Sequence, residues 1–76
     1  MTWLPLVSKM FTSVAYDADE QVLYLHFRNS GDVYRYFEFP ASEFQAFLDA
    51  ESHGRFFLAH IRGSYSYERL AKLHAA

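Results

Sequence analysis

The chain has no cysteine, which excludes disulfides and any thiolate metal site. No run approaches ~18 uninterrupted apolar residues, so no membrane-spanning helix is expected. There is no excess of positive charge. Seven Lys and Arg stand against nine Asp and Glu, a net charge of −2 with the histidines neutral. Nonspecific nucleic-acid binding driven by total charge is therefore disfavoured, although a local basic patch stays open. The start, MTWLPLVSKM, has neither a charged n-region nor a long apolar h-region and does not read as a signal peptide. Without cysteine or an export signal, the expected location is cytoplasmic. No repeat, linker or low-complexity stretch is present, and neither a Gly-x-Ser-x-Gly elbow nor a phosphate loop appears.

What the chain has is aromatic bulk: eight Phe, six Tyr and one Trp in 76 residues. A single domain of this length buries a modest share of its surface and is hard to stabilise. Each aromatic buries roughly 150–250 Å². At about 25 cal/mol per Å² that is a gross gain of about 4–6 kcal/mol before entropy is subtracted. Compensation for small size is thus the plain explanation for the richness, and the alternative is an aromatic binding surface.

The expected organisation is one α+β domain over 1–76. It has an extended arm at 1–6, a three-stranded antiparallel meander at 10–39, and a helical part at 41–74 with two or three short helices packed on one sheet face. Gln21–Arg28 alternates and is rich in β-formers. It lies between two turn signals, Asp17–Glu20 and Asn29–Asp32, the latter with Gly31 suited to positive φ. Val33–Phe39 forms the third strand and stops at Pro40. Phe44, Phe47, Leu48 and Glu51 then follow helical spacing, with Ser42 as a candidate cap. Ser52 is the candidate cap of a second helix that stops at Gly63. A third helix is expected from about Tyr67, with Leu70 and Leu73 on one side.

Period-2 alternation sorts the strand residues by face. Pairing Tyr16 with Gln21 sets Val14 opposite Leu23. Pairing Arg28 with Val33 sets Leu25 opposite Tyr36 and Phe27 opposite Tyr34. Tyr34 and Tyr36 thus fall on the core face, and a bulge or strand end near Phe37–Phe39 lets Phe39 turn inward. The outer face carries Phe11, Ser13, Ala15, Val22, Tyr24, His26, Arg28, Val33, Arg35 and Phe37. The candidate binding residues are Tyr24, His26, Arg28, Arg35 and Phe37.

The ordered series VAYD, LYLHF, Gly31, YRY, Phe39-Pro40, then Ala50, Ser52 and Gly54, then FF and IRGSY resembles the KTSC domain family over roughly Val7–Tyr67. This small bacterial domain stands at the C-terminus of some lysyl-tRNA synthetases and also occurs alone at about this length. Its marker is a Tyr-x-Tyr, matched by Tyr34 and Tyr36. The resemblance implies a fold more than an activity. It implies structural roles for Tyr34, Tyr36, Gly54 and Arg62, and the synthetase context suggests RNA binding. Arg in the last turn of a short helix also suits the helix dipole, so Arg62 is expected to tie that helix end to a carbonyl or carboxylate. Two departures from the family pattern stand out. Tyr24 and His26 occupy strand positions that are usually polar or acidic, and Leu58 follows the aromatic pair where a polar residue is usual. Both make the outside more apolar, which favours self-association or a partner surface.

No catalytic constellation is apparent. His26, His53, His60 and His74 lie on different elements without metal-ligand spacing, and Asp17, Asp19 and Glu20 suit a solvated turn. No catalysis, metal, membrane or small-molecule cofactor is expected. The leading reading is a non-catalytic interaction module that binds a protein partner or a second copy through the outer face. The second reading is RNA binding by the same face, with Tyr24, His26 and Phe37 stacking on bases and Arg28 and Arg35 meeting phosphates. In a third, the arm or the third helix folds over that face.

Overall fold

The alternating run after Asp17–Glu20 forms the middle of a five-stranded antiparallel sheet, two strands more than the expected meander. The strands are β1 (Leu4–Pro5), β2 (Phe11–Asp17), β3 (Val22–Phe27), β4 (Val33–Tyr36) and β5 (Tyr67–Arg69), in the order β1-β2-β3-β4-β5. Helix α1 (Ala41–Asp49) and helix α2 (His53–Phe56) complete the α+β fold, and α2 runs on as a π-helical turn over Phe57–Ile61. The computed structural model describes residues 1–70. Leu73 and His74 lie outside the described residues.

The two added strands sit at the two edges. The arm forms β1, with Leu4 opposite Val14 and Pro5 opposite Ser13; proline suits an edge strand because it has no N–H to donate. The other correction concerns the expected third helix, whose first turn is β5. A helix of about ten residues is marginal on its own, whereas β4 offers a whole row of partners. The Phe37 amide donates to the Ser66 carbonyl at 3.0 Å and the Leu70 amide to the Val33 carbonyl at 2.7 Å. Two ion pairs, Arg35–Glu68 and Asp32–Arg69, reinforce the pairing.

Both hairpins are shifted by two in register from the sequence expectation. Asp17 faces Val22 and Val14 faces Leu25, while His26 faces Val33 and Leu25 faces Tyr34. At the first turn the Asp17 carboxylate accepts from the amides of Asp19 and Glu20, each at 3.1 Å. This extends β2 by one residue and pushes the turn onto 18–21, where Gln21 takes φ 55°. At the second turn the Phe27 amide donates to Asp32 and the Gly31 amide to Phe27, with Gly31 at φ 74°. A slip of two preserves parity. Tyr34 and Tyr36 therefore remain on the face of Leu23 and Leu25.

Parity fails at one residue. The β2–β3 register shifts between Phe11 and Ser13, and this bulge turns Phe11 from the outer face into the core. It is fully buried there, with ring centroids 5.0 Å from Phe27, 5.9 Å from Phe47 and 5.4 Å from Phe57. Phe39 also enters the core. β4 ends at Tyr36, Glu38 takes φ 54°, and the Phe39 amide donates to the Gln21 carbonyl at 2.8 Å.

The helices roof the inner face. Pro40, not Ser42, occupies the N-cap of α1, with no side-chain cap. Phe47 is fully buried, Phe44 and Leu48 are half-buried, and Glu51 lies exposed beyond the helix end. The Ser52 hydroxyl caps α2 by accepting from the Arg55 amide at 3.2 Å. A Cβ at Gly54 would stand 3.4 Å from Met10 Cε, so the glycine lets α2 lie close to the start of β2. Gly63, at φ 79°, turns the chain out of the helix toward β5.

Candidate functional site

The sheet presents two aromatic surfaces. On the outer face, Tyr24 stands opposite Arg35, and its hydroxyl, together with the Glu68 carboxylate that pairs with Arg35, raises the pKa of the guanidinium. Arg35 also lies 5.3 Å over the Phe37 ring. Only its Nε is left buried without a partner. Trp3 meets Tyr24 and His26 edge-on, at 6.3 and 6.5 Å. The arm therefore folds over the centre of this face. Arg28 ties its end down, donating from Nη2 to the Leu6 carbonyl at 3.5 Å and the Phe11 carbonyl at 2.9 Å and from Nε to the Ser8 carbonyl at 3.0 Å. Of the five candidate residues, Tyr24, His26, Arg35 and Phe37 gather on one face, while Arg28 turns away to clamp the arm.

The second surface is an open groove of about 530 Å³ on the inner side, between the π-helical turn and the β4–β5 end of the sheet. The helices cover the inner face over β2 and β3 and bury Tyr36 on β4, but leave the rest of this end open. Tyr34 and Tyr36 line it, their rings stacked 6.5 Å apart at 23°. Tyr67 on β5 lies 5.7 Å from Tyr34 and 5.9 Å from Tyr36. Phe57 closes the deep end, 5.9 Å from Tyr36. Leu58 and Tyr67 are half or more exposed on the lips.

The polar groups of the groove are few. Tyr36 is only 4% exposed, yet no described residue hydrogen-bonds its hydroxyl. Burial, with Tyr34 and Tyr67 nearby, pushes its pKa well above the ordinary tyrosine value. Arg62 stands exposed at the rim, and among the described residues its guanidinium forms no ion pair or hydrogen bond. Its backbone amide, donating to the Phe57 carbonyl at 2.8 Å, is what closes the helix end. The expected side-chain tie to a carbonyl or carboxylate is thus replaced by a backbone bond, and the side chain is left on the groove. Asp32, also lining it, is paired with Arg69 at 3.2 Å.

Three of the residues expected to be structural, Tyr34, Tyr36 and Arg62, thus line the groove. The fourth, Gly54, packs on Met10 away from it. Tyr67 is the residue sequence spacing misplaces, because Leu70 and Leu73 suggest a helix there. Its signal is the alternation Tyr65, Tyr67, Arg69 against Ser66 and Glu68, a strand pattern too short to win alone. The histidines stay apart. His26 lies under Trp3, His53 Nδ1 faces the Phe47 carbonyl at 2.9 Å, and His60 packs on Phe56. No helix among the described residues is long and apolar enough to cross a membrane.

These features define a small α+β domain whose open feature is an aromatic groove with one unpaired arginine. A family model for the KTSC domain matches residues 7–65, and the chain belongs to the KTSC domain family. A KTSC domain protein from Yersinia pestis has a similar structure, with a TM-score of 0.88 at 33% identity over 92% of this chain and 97% of that one. An uncharacterized protein of Stutzerimonas stutzeri is 40% identical over 57 residues, 75% of this chain and 79% of its own length. A protein of Tsukamurella paurometabola is 42% identical over 52 residues, 68% of this chain and 76% of its own. The family match contains Tyr34, Tyr36, Leu58 and Arg62 but neither edge strand, since β1 lies before it and β5 after it.

Proposed function

We propose that this domain is a non-catalytic protein-interaction module that docks an apolar element of a partner protein in the inner groove. One observation carries the reading. An open concavity of about 530 Å³ is walled by Tyr34, Tyr36, Phe57 and Tyr67, with Leu58 and Tyr67 exposed at its mouth. Concave, mostly aromatic sites with few polar groups are what binding sites look like, and aromatic side chains supply the anchors of protein interfaces. The outer face is the weaker candidate because its centre lies under Trp3 and its arginines are engaged.

The test is an amide NMR titration of the labelled chain with indole, a bare apolar probe, and separately with a short mixed-sequence single-stranded RNA. Indole-induced shifts at Tyr34, Tyr36, Phe57, Leu58 and Tyr67 support the groove. Absence of groove shifts at millimolar indole, or RNA-induced shifts at Tyr24, His26, Arg35 and Phe37 that fade with salt, overturns it.

A further inference from the structure

We propose that the groove selects an extended acidic peptide segment, in which one large apolar side chain enters among the tyrosines and a neighbouring carboxylate meets Arg62. This rests on the groove being the docking site and adds the chemistry of its ligand.

Three observations converge on it. The first is charge. Two cations and one anion stand at or beside the groove, and Arg69 and Asp32 neutralise each other. Arg62 is left as the uncompensated charge at the rim among the described residues. A guanidinium free of partners is shaped to take a carboxylate by two parallel hydrogen bonds. The chain as a whole is at −2, so attraction of an acidic segment is local to this rim and not a long-range effect.

The second is the Tyr36 hydroxyl. Tyr36 lines the groove, and its hydroxyl has no partner among the described residues yet is not a buried unpartnered atom, so it faces the open side of the groove. A ligand that covers it must replace the water it loses. A peptide carbonyl laid over it would accept its proton. A purely hydrocarbon ligand would leave it unmet.

The third is the sheet edge. β5 is the last strand in the order. Register puts Tyr67 opposite Tyr36 and Arg69 opposite Tyr34, so both share the groove face. An extended segment laid along β5 would place alternate side chains on that face. One of them would lie beside Tyr67 at the groove mouth. The segment is therefore extended, not helical, with its apolar and acidic residues close in sequence.

The experiment is selection of a random dodecapeptide phage library against the full chain, run in parallel against Arg62→Glu. Among the described residues the Arg62 side chain makes no hydrogen bond or ion pair, and an unchanged amide spectrum confirms that the variant folds. The expected result is enrichment of Trp, Phe or Leu within two residues of Asp or Glu on the parent chain, with Lys or Arg replacing the acid on Arg62→Glu. Tyr36→Phe is expected to weaken a selected peptide several-fold without changing the consensus. Enrichment of apolar residues with no acid, or an acid preference that survives Arg62→Glu, overturns the acidic ligand but keeps the groove as a docking site. No enrichment overturns both. A mass that doubles with concentration and reverts on Leu58→Asp or Tyr67→Asp gives the groove to a second copy and overturns the peptide.

Discussion

On the outer face of the sheet Arg35 reaches Glu68, Tyr24 and Phe37; on the inner face the Arg62 side chain makes no hydrogen bond or ion pair among the described residues. Both faces carry tyrosines and an arginine, and composition alone does not separate them. The difference lies in what the fold supplies as cover. The arm adds an edge strand and Trp3 to the outer face, and Arg28 locks it in place. On the inner face the π-helical turn reaches β4 only at Tyr36, through Phe57, so Tyr34 and Tyr67 are left on an open groove. An aromatic-arginine pattern therefore marks a binding surface only where the chain has not already used its own residues as the ligand.

The largest predicted effect tests the bulge that separates the faces. Phe11→Ala removes a fully buried ring in contact with three other phenylalanines and should cost about 3–5 kcal/mol. Urea denaturation followed by far-UV circular dichroism measures it. A loss under about 1 kcal/mol, as for a surface position, would return Phe11 to the outer face.

Arg28→Ala comes next, because it unfastens the arm. The guanidinium bonds to two carbonyls at about 3 Å but sits at the surface, so we expect a loss of about 1–2 kcal/mol. Trp3 is the single tryptophan, so its emission reports the arm directly. It should shift to the red and become more accessible to acrylamide. Unchanged emission would mean that the arm stays down without Arg28, and the cover of the outer face would need another cause.

The groove is expected to show itself at alkaline pH. Tyr36 has its folded pKa raised by burial, so its contribution to stability is complete below the unfolded tyrosine value. Stability should be flat to about pH 10 and then fall by up to about 1.4 kcal/mol per pH unit for each such phenol. Tyr16 and Tyr65, also raised by burial, add to the slope. Tyr36→Phe should make the decline shallower, and at neutral pH it should cost little, since the hydroxyl it removes has no described partner. An unchanged alkaline slope in Tyr36→Phe would mean that the pKa of this phenol is not raised.

Much of this was legible in the residues, and the failures have physical causes. Alternation in β3 fixed the faces, and they survived a wrong register because the slip was even. Phe11 was unreadable because a bulge leaves no mark in a period-2 pattern. β5 was unreadable because three residues carry too little signal against a leucine spacing that suggests a helix, and the free edge of β4 decides the matter. For the candidate site, Tyr34, Tyr36 and Arg62 drew notice as motif residues, yet a groove depends on where the helices stop, and that is a property of packing between distant segments. Tyr24, His26 and Phe37 were singled out because they share the outer face; that the arm folds over this face was the third reading, and the seat of Trp3 on Tyr24 and His26 depends on an edge pairing that two residues do not announce.

The smallest effect bears most directly on the two arginines. Arg35 and Glu68 form a partly exposed pair, and such pairs are worth about 0.2–1 kcal/mol. A double-mutant cycle with Arg35→Ala and Glu68→Ala should return a coupling in that range, shrinking as salt is raised. The same cycle between Arg62→Ala and Asp32→Ala should return none, because Asp32 is already held by Arg69. Removing Arg62 alone should then leave stability within about 0.5 kcal/mol of the parent. A coupling for Arg62 as large as that of Arg35 would mean the groove arginine is spoken for inside the chain, and the two faces would no longer differ in the respect that makes one of them a site.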